Sequence, residues 1–254
     1  MTKFSNIRNY AKLSVAPMMD WTDRHCRYFH RTLSKNTLLY TEMVTSPALI
    51  KGNATHLLEF DKSEHPVALQ LGGSDPIELA KAAVIGSKYG YDEINLNVGC
   101  PSDRVQSGTF GAVLMKTPEV VAKCCKEMID AVDTEVTVKC RVGVDQQNPD
   151  VTLPKFLEHI SNAGVTRVII HARKAILSGL SPKQNRNVPP LNYELVYKMK
   201  ELFPDLHLSL NGGVQSIQQA KSHLENGIDG VMIGRAAYQL SLIHISEPTR
   251  LQQI

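Results

Sequence analysis

The sequence predicts an α/β protein of the (β/α)8 TIM-barrel type, and three observations carry that expectation. Eight short apolar or β-branched runs recur along the 254 residues, starting about every 31 residues. Amphipathic stretches long enough to be crossover helices lie between them. Several runs are apolar on both faces, as Val168-Ile169-Ile170 is, and a parallel sheet covered by helices requires that. The length suits one such barrel. A doubly wound open sheet is the alternative on pattern alone.

The strands are expected, in order, at Leu13–Met18, Leu38–Val44, Val67–Leu71, Glu93–Val98, Glu135–Cys140, Arg167–His171, His207–Leu210 and Gly230–Ile233. The clearest helices are Pro76–Lys88, Pro118–Ala131, Leu153–Asn162, Tyr193–Phe203 and Ile217–Glu225. Pro76 and Pro118 stand where a first helical turn tolerates proline. Thr152 and Ser216 are N-cap candidates. The segment Ala175–Pro190 has no periodicity and three prolines, so it reads as a long surface loop after the sixth strand. In a barrel the loops that leave the C-terminal strand ends build the active site.

Composition narrows the class. The chain is 43% hydrophobic and 21% charged, which excludes a disordered chain or a disulfide-dense miniprotein. Five cysteines with no paired spacing suit a reducing, cytoplasmic setting. The first residues lack the apolar core of a signal peptide, and no apolar run is long enough to span a membrane. Nine scattered histidines offer no metal-ligand spacing, so no metal is expected. A net charge of +3 permits an anionic partner without requiring one.

Chemistry-bearing residues gather where the strand pattern stops. The first strand ends Ala16-Pro17-Met18-Met19, and the third leads through Gln70 to Gly72-Gly73. The fourth runs Asn95-Leu96-Asn97-Val98-Gly99-Cys100-Pro101-Ser102. The fifth carries Lys139 and Arg141, and the sixth ends His171-Ala172-Arg173. The seventh ends Asn211-Gly212-Gly213, the eighth Gly234-Arg235. Those last glycines, with Arg235, read as a phosphate site, because backbone amides without a Cβ approach an anion closely. A lone cysteine is most often a small buried hydrophobe. Cys100, held between Gly99 and Pro101 at the expected barrel mouth, is instead a candidate acid or nucleophile. Lys139 interrupts an apolar strand, which is costly unless it faces an anion. Between Arg167 and Tyr193 stand Arg167, Arg173, Lys174, Lys183 and Arg186 and no acid, a rim suited to a polyanion.

Together these residues resemble the tRNA-dihydrouridine synthases, closest to the bacterial A-type subfamily. The signatures are Ala16-Pro17-Met18-Met19-Asp20-Trp21-Thr22-Asp23, the Asn95–Ser102 stretch, and His171-Ala172-Arg173-Lys174 through Ser178–Arg186. The resemblance covers about Lys12 to Gln239, and it implies an FMN-bound TIM barrel that reduces uridine to dihydrouridine in the tRNA D-loop, with NADPH as reductant. On that resemblance, Pro17, Met18 and Met19 line the flavin ring. Gln70, Lys139 and His171 contact it. Asn211, Gly212, Gly213, Gly234 and Arg235 hold the FMN phosphate. Cys100 is the proton donor, and Asn97, Lys183 and Arg186 touch the tRNA. The implied protein is a cytoplasmic monomer.

Residues 1–239 are thus expected to form the catalytic barrel. The run Ser241–Arg250 resembles translated sequencing-adapter sequence, so 240–254 is expected to be a non-native tail. The last helix would then be incomplete, and the C-terminal helical domain of the family absent. Three other functions stay open on the residues: a lyase with a Schiff-base Lys139, a non-catalytic tRNA-binding fragment, and a flavin barrel acting on free pyrimidines.

Overall fold

The computed structural model of the chain describes residues 5–102, 105 and 110–239. The expected tail at 240–254 lies outside the described residues. After helix α1 (Ser5–Tyr10), strands and helices alternate: β1 Leu13–Val15, α2 Arg24–Leu33, β2 Leu38–Thr45, α3 Ser46–Ile50, β3 Val67–Gly72, α4 Pro76–Tyr89 and β4 Glu93–Val98. They continue with α5 Pro118–Ala131, β5 Glu135–Arg141, α6 Pro149–Asn162, β6 Arg167–His171, α7 Tyr193–Leu202, β7 His207–Asn211, α8 Ile217–Glu225, β8 Gly230–Ile233 and α9 Ala236–Gln239. All eight strands are parallel and pair in sequence order, and β1 pairs with β8 to close the barrel. The open-sheet alternative is therefore excluded.

Local chemistry explains most boundaries. Asp75 caps α4, its Oδ1 accepting from the Glu78 amide at 2.8 Å, with Pro76 in the first turn. Ser216 caps α8 as expected. Thr152 does not cap α6. That helix begins one turn earlier, where Asn148 accepts from the Asp150 amide at 3.1 Å and Pro149 supplies the first-turn proline. Strand β1 is shorter than its apolar run. Ala16 still donates to Ile233 O at 2.8 Å, but Pro17 has no N–H to continue the ladder. Helix α2 is not among the helices the sequence marks most clearly. Asp23 caps it, accepting from the Cys26 amide at 2.8 Å.

Strand alternation divides the core in two. On β4, Ile94, Leu96 and Val98 join the shell packed against the helices, while Glu93, Asn95 and Asn97 point inward. The shell is apolar throughout, with Leu69, Val138, Ile170, Leu208 and Leu210 all fully buried. Each such side chain contributes roughly 1.5–3 kcal/mol of burial free energy. The interior apolar cluster is small: Ile7, Ala11, Ala16, Leu38, Tyr40, Ala68, Ile169 and Met232. The rest of the lumen is polar. No helix among the described residues is long and apolar enough to cross a membrane.

The floor of that lumen is ionic. Arg167, 1% exposed, donates through Nε to Glu135 Oε2 at 3.1 Å and through Nη2 to Glu93 Oε2. Tyr40 OH donates to Glu93 Oε1 at 2.7 Å. Burial alone would lower the Arg167 pKa, but Glu93, Tyr40 and Glu135 outweigh it and raise it. Burial raises Glu135, against the pull of Arg167. Removing one partner of such a cluster leaves a charge buried without compensation. Replacing Arg167 by Ala is expected to cost about 3–5 kcal/mol, read as a lowered urea midpoint. A loss under about 1 kcal/mol, the scale of a surface pair, would show that the cluster is not a core element.

Candidate active site

The C-terminal strand ends converge on one mouth, and the strand register places the expected residues around it. Gln70 of β3 lies beside Asn95 of β4, and Asn97 beside Lys139 of β5. Arg141 lies beside His171 of β6, and His171 beside Asn211 of β7. Lys139 Nζ donates to Asn211 Oδ1 at 3.1 Å, and Asn211 Nδ2 donates to Met232 O at 2.7 Å. Asn211 is thus fixed from two sides.

The Cys100 loop is held to the mouth by four main-chain contacts. Asn97 Oδ1 accepts from the amides of Gly99 at 3.1 Å and Cys100 at 3.0 Å. Arg141 Nε donates to Gly99 O at 2.8 Å, and the Ala112 amide donates to Cys100 O at 2.9 Å. Gly111 precedes that last contact at φ 73°, and a Cβ there would come within 2.6 Å of Cys100 O. Only glycine permits the approach. The half-buried Cys100 thiol lies 3.5 Å from Ser102 Oγ, at the same mouth as Lys139 and Arg141. Of the other cysteines, which their strand or helix interiors suggest are packing residues, Cys26 is only half-buried, with its sulfur 3.6 Å from His30 Nδ1. Cys124, Cys125 and Cys140 are buried, and burial pushes the Cys140 thiol up to about 12.

The electrostatics are one-sided. Burial, reinforced by Arg141, lowers Lys139 to about 8. Burial lowers Arg141 to about 10, and Arg186 and Arg173 push the same way. Burial, then Arg141, Lys139, Arg173 and Arg186, holds His171 well below the usual histidine range. His171 is therefore neutral near pH 7, offering one ring donor and one acceptor. No carboxylate of the rim stretch relieves these cations, since Arg167–Tyr193 contains none.

The expected phosphate end has matching features. Gly212 and Gly213 both adopt positive φ, 111° and 74°. A Cβ on Gly212 would fall 2.6 Å from the His171 ring. A Cβ on Gly234 would meet nothing within 4 Å. The Arg173 Nε is buried without a partner, and Arg235 adds its own positive charge nearby. An orphaned guanidinium donor, a second guanidinium and two left-handed glycines suit a phosphate dianion. The residues present therefore fit an FMN phosphate, and the structure adds Arg173 to those expected from the sequence.

The remaining expected residues differ in placement. Pro17 and Met18 are half-buried, and Met18 packs against the interior apolar cluster. Met19 is 54% exposed. Lys183 and Arg186 are exposed on the long loop, and Arg186 acts electrostatically on His171 and Arg141. Two residues of the mouth have roles that the sequence reading did not assign. Asn185, fully buried, accepts from the Ile176 amide and donates to Ile176 O, both at 2.8 Å, and so folds the long loop on itself. Arg141 was visible as a strand-end cation but not as a clamp. Its Nη1 donates to Lys174 O and to Asn185 O, both at 3.0 Å.

Known proteins repeat this arrangement of sequence. A model of the dihydrouridine synthase family matches residues 14–246. A tRNA-dihydrouridine(20/20a) synthase of Escherichia coli strain K12 is 56% identical over 240 residues, 94% of this chain and 69% of the relative. The protein of that name from Vibrio parahaemolyticus is 57% identical over 229 residues, 90% of this chain and 70% of the relative. The one from Shewanella oneidensis is 55% identical over 226 residues, 89% and 67% of the two chains. With the match running from the first strand past the eighth, this chain belongs to the dihydrouridine synthase family.

Proposed function

We propose that this chain reduces uridine in tRNA to 5,6-dihydrouridine, at D-loop positions 20 and 20a, with FMN bound in the mouth and NADPH as the reductant. The observation that supports it most is the Cys100 loop, fixed at the same mouth as Lys139, His171 and an acid-free basic rim. A pyrimidine 5,6 double bond must gain a hydride and a proton on adjacent carbons. When bound, FMN supplies the hydride, and NADPH restores it.

The chain's own residues do the rest. Cys100 gives the proton to carbon 5 as a thiol, a general-acid step that needs the sulfur protonated and close. Asn97 and Arg141 hold its loop through the main chain, so the backbone that carries the sulfur is fixed by the protein itself. Gln70, Lys139 and His171 hydrogen-bond the ring system, and Pro17, Met18 and Met19 line it. Lys139 offsets negative charge there. Asn211, Gly212, Gly213, Gly234, Arg173 and Arg235 hold the phosphate. The target base must leave its stack to enter a barrel mouth. Lys183, Arg186 and Asn97 meet the RNA, the two cations through its backbone. The protein works as a monomer in the cytoplasm.

Replacing Cys100 by Ala is expected to leave bound flavin unchanged and to cut dihydrouridine formation by roughly 10²–10⁴-fold. Mass spectrometry of tRNA digests reads the product, and undiminished turnover would remove the thiol from the reaction. Lys139, with its pKa near 8, carries its charge at pH 7 and loses it by about pH 9, where an ordinary lysine would keep it. FMN binding to flavin-free protein should therefore weaken across that window. Lys139→Met should flatten the trend, and an identical trend in the variant would assign it to another group. Replacing Lys183 and Arg186 together by Ala should weaken tRNA binding and reduce its salt slope by about one to two units. Unaltered affinity at low salt would take these side chains out of the RNA contact.

A further inference from the structure

Five hydrogen bonds run head to tail from the Cys100 loop to the ionic floor of the barrel. The Cys100 amide donates to Asn97 Oδ1 at 3.0 Å. Asn97 Nδ2 donates to Gln70 Oε1, Gln70 Nε2 to Asn95 Oδ1, and Asn95 Nδ2 to Thr137 Oγ1, each at 2.8 Å. Thr137 Oγ1 donates to Glu93 Oε1, and Arg167 meets the same carboxylate from the other side. Every link donates in one direction. Asn95, Thr137 and Glu93 are fully buried and Gln70 nearly so, which leaves no bulk water to substitute.

The direction has a cause. A carboxylate only accepts. Glu93 therefore takes the single Thr137 proton, which leaves the Thr137 oxygen to accept from Asn95. That turns the Asn95 amide nitrogen toward Thr137 and its oxygen toward Gln70. Gln70 is oriented in turn, and Asn97 after it. The last member must then present oxygen to the loop, the only atom that can receive the Gly99 and Cys100 amides. Were the chain reversed, Asn97 would present an amino group to two donors. Aligned bonds in a low-dielectric interior also polarise one another.

We infer that Asn95 and Thr137 are positioning residues: through Gln70 and Asn97 they carry the Glu93 charge to the Cys100 loop and fix where its thiol sits. Neither residue touches the loop itself. The inference rests on Cys100 being the proton donor.

The test compares Thr137→Val, which deletes the hydroxyl at nearly constant shape, with Thr137→Ser, which keeps it. Rates are expressed per bound flavin. Thr137→Val should lower kcat roughly 10- to 100-fold, the scale of a small misplacement of a reacting group, with KM for tRNA within twofold. Thr137→Ser should restore it. In the same proteins iodoacetamide labelling is read by peptide mass spectrometry. Cys100 should label several-fold faster in Thr137→Val, and half-buried Cys26 should not change. A Thr137→Val protein with kcat within twofold of Thr137→Ser overturns the inference. So does a kcat loss with Cys100 labelling unmoved, since a general structural defect would give that. If Thr137→Val does not fold, Thr137→Ala against Thr137→Ser repeats the comparison with the lost methyl common to both, and equal rates overturn the inference. Retained turnover in Cys100→Ala would end the proton-donor reading alone, and the labelling ratio would still report whether the chain holds the loop.

Discussion

The Arg167–Glu93–Glu135 cluster sets the terms for the whole lumen. A barrel interior this polar has little apolar packing of its own, so its stability depends on most inward groups finding partners, Ser209 Oγ and His207 Nδ1 being exceptions. One guanidinium bridges two carboxylates at the floor, Glu93 and Glu135, and Arg8 Nε lies 3.8 Å from the second. The amide and hydroxyl residues above it are satisfied in series rather than in isolated pairs. The apolar free energy comes instead from the shell between strands and helices, where Leu, Ile and Val dominate. The outside of the sheet thus supplies the apolar free energy, while the inside contributes stability only through its paired polar groups.

The mouth carries the opposite imbalance. Lys139, Arg141, Arg173, Arg186 and Arg235 gather without an acid of the long loop to offset them. Their mutual repulsion disfavours the bare protein and favours any anion that sits among them. Burial first, and the neighbouring cations after it, lower the pKa values of Lys139 and His171. A field of this sign suits a phosphate group at the mouth and a polyanion at the rim alike.

Much of the fold was legible in the sequence because β-branched runs and glycine-ended strands are local signals. All eight strands lie where apolar runs place them. Local signals also misled. Thr152 precedes an apolar periodic stretch, yet Asn148 with Pro149 starts the helix, since two capping features outweigh one. The apolar run Leu13–Met18 overstates β1 because it ignores what Pro17 cannot donate. Helix α2 is mostly polar and charged, and it buries Arg27 and His30 while Tyr28 and Phe29 stay exposed, so an apolar-inward pattern does not find it. The mouth residues of the strand ends were visible as positions, but their partnerships were not. Arg141 meets Gly99 42 residues back and Asn185 44 residues ahead, and only barrel closure brings those together. Asn95 and Thr137 read as ordinary polar strand residues until the register sets them side by side.

Arg141 grips three loop segments solely by their carbonyl oxygens: Gly99, Lys174 and Asn185. A main-chain oxygen is the same whichever residue bears it. The solvent-facing side chains of these segments can therefore drift across lineages while the strut between substrate rim and sulfur keeps its length. One scaffold can in this way vary the surface of its rim without re-solving the placement of the Cys100 loop.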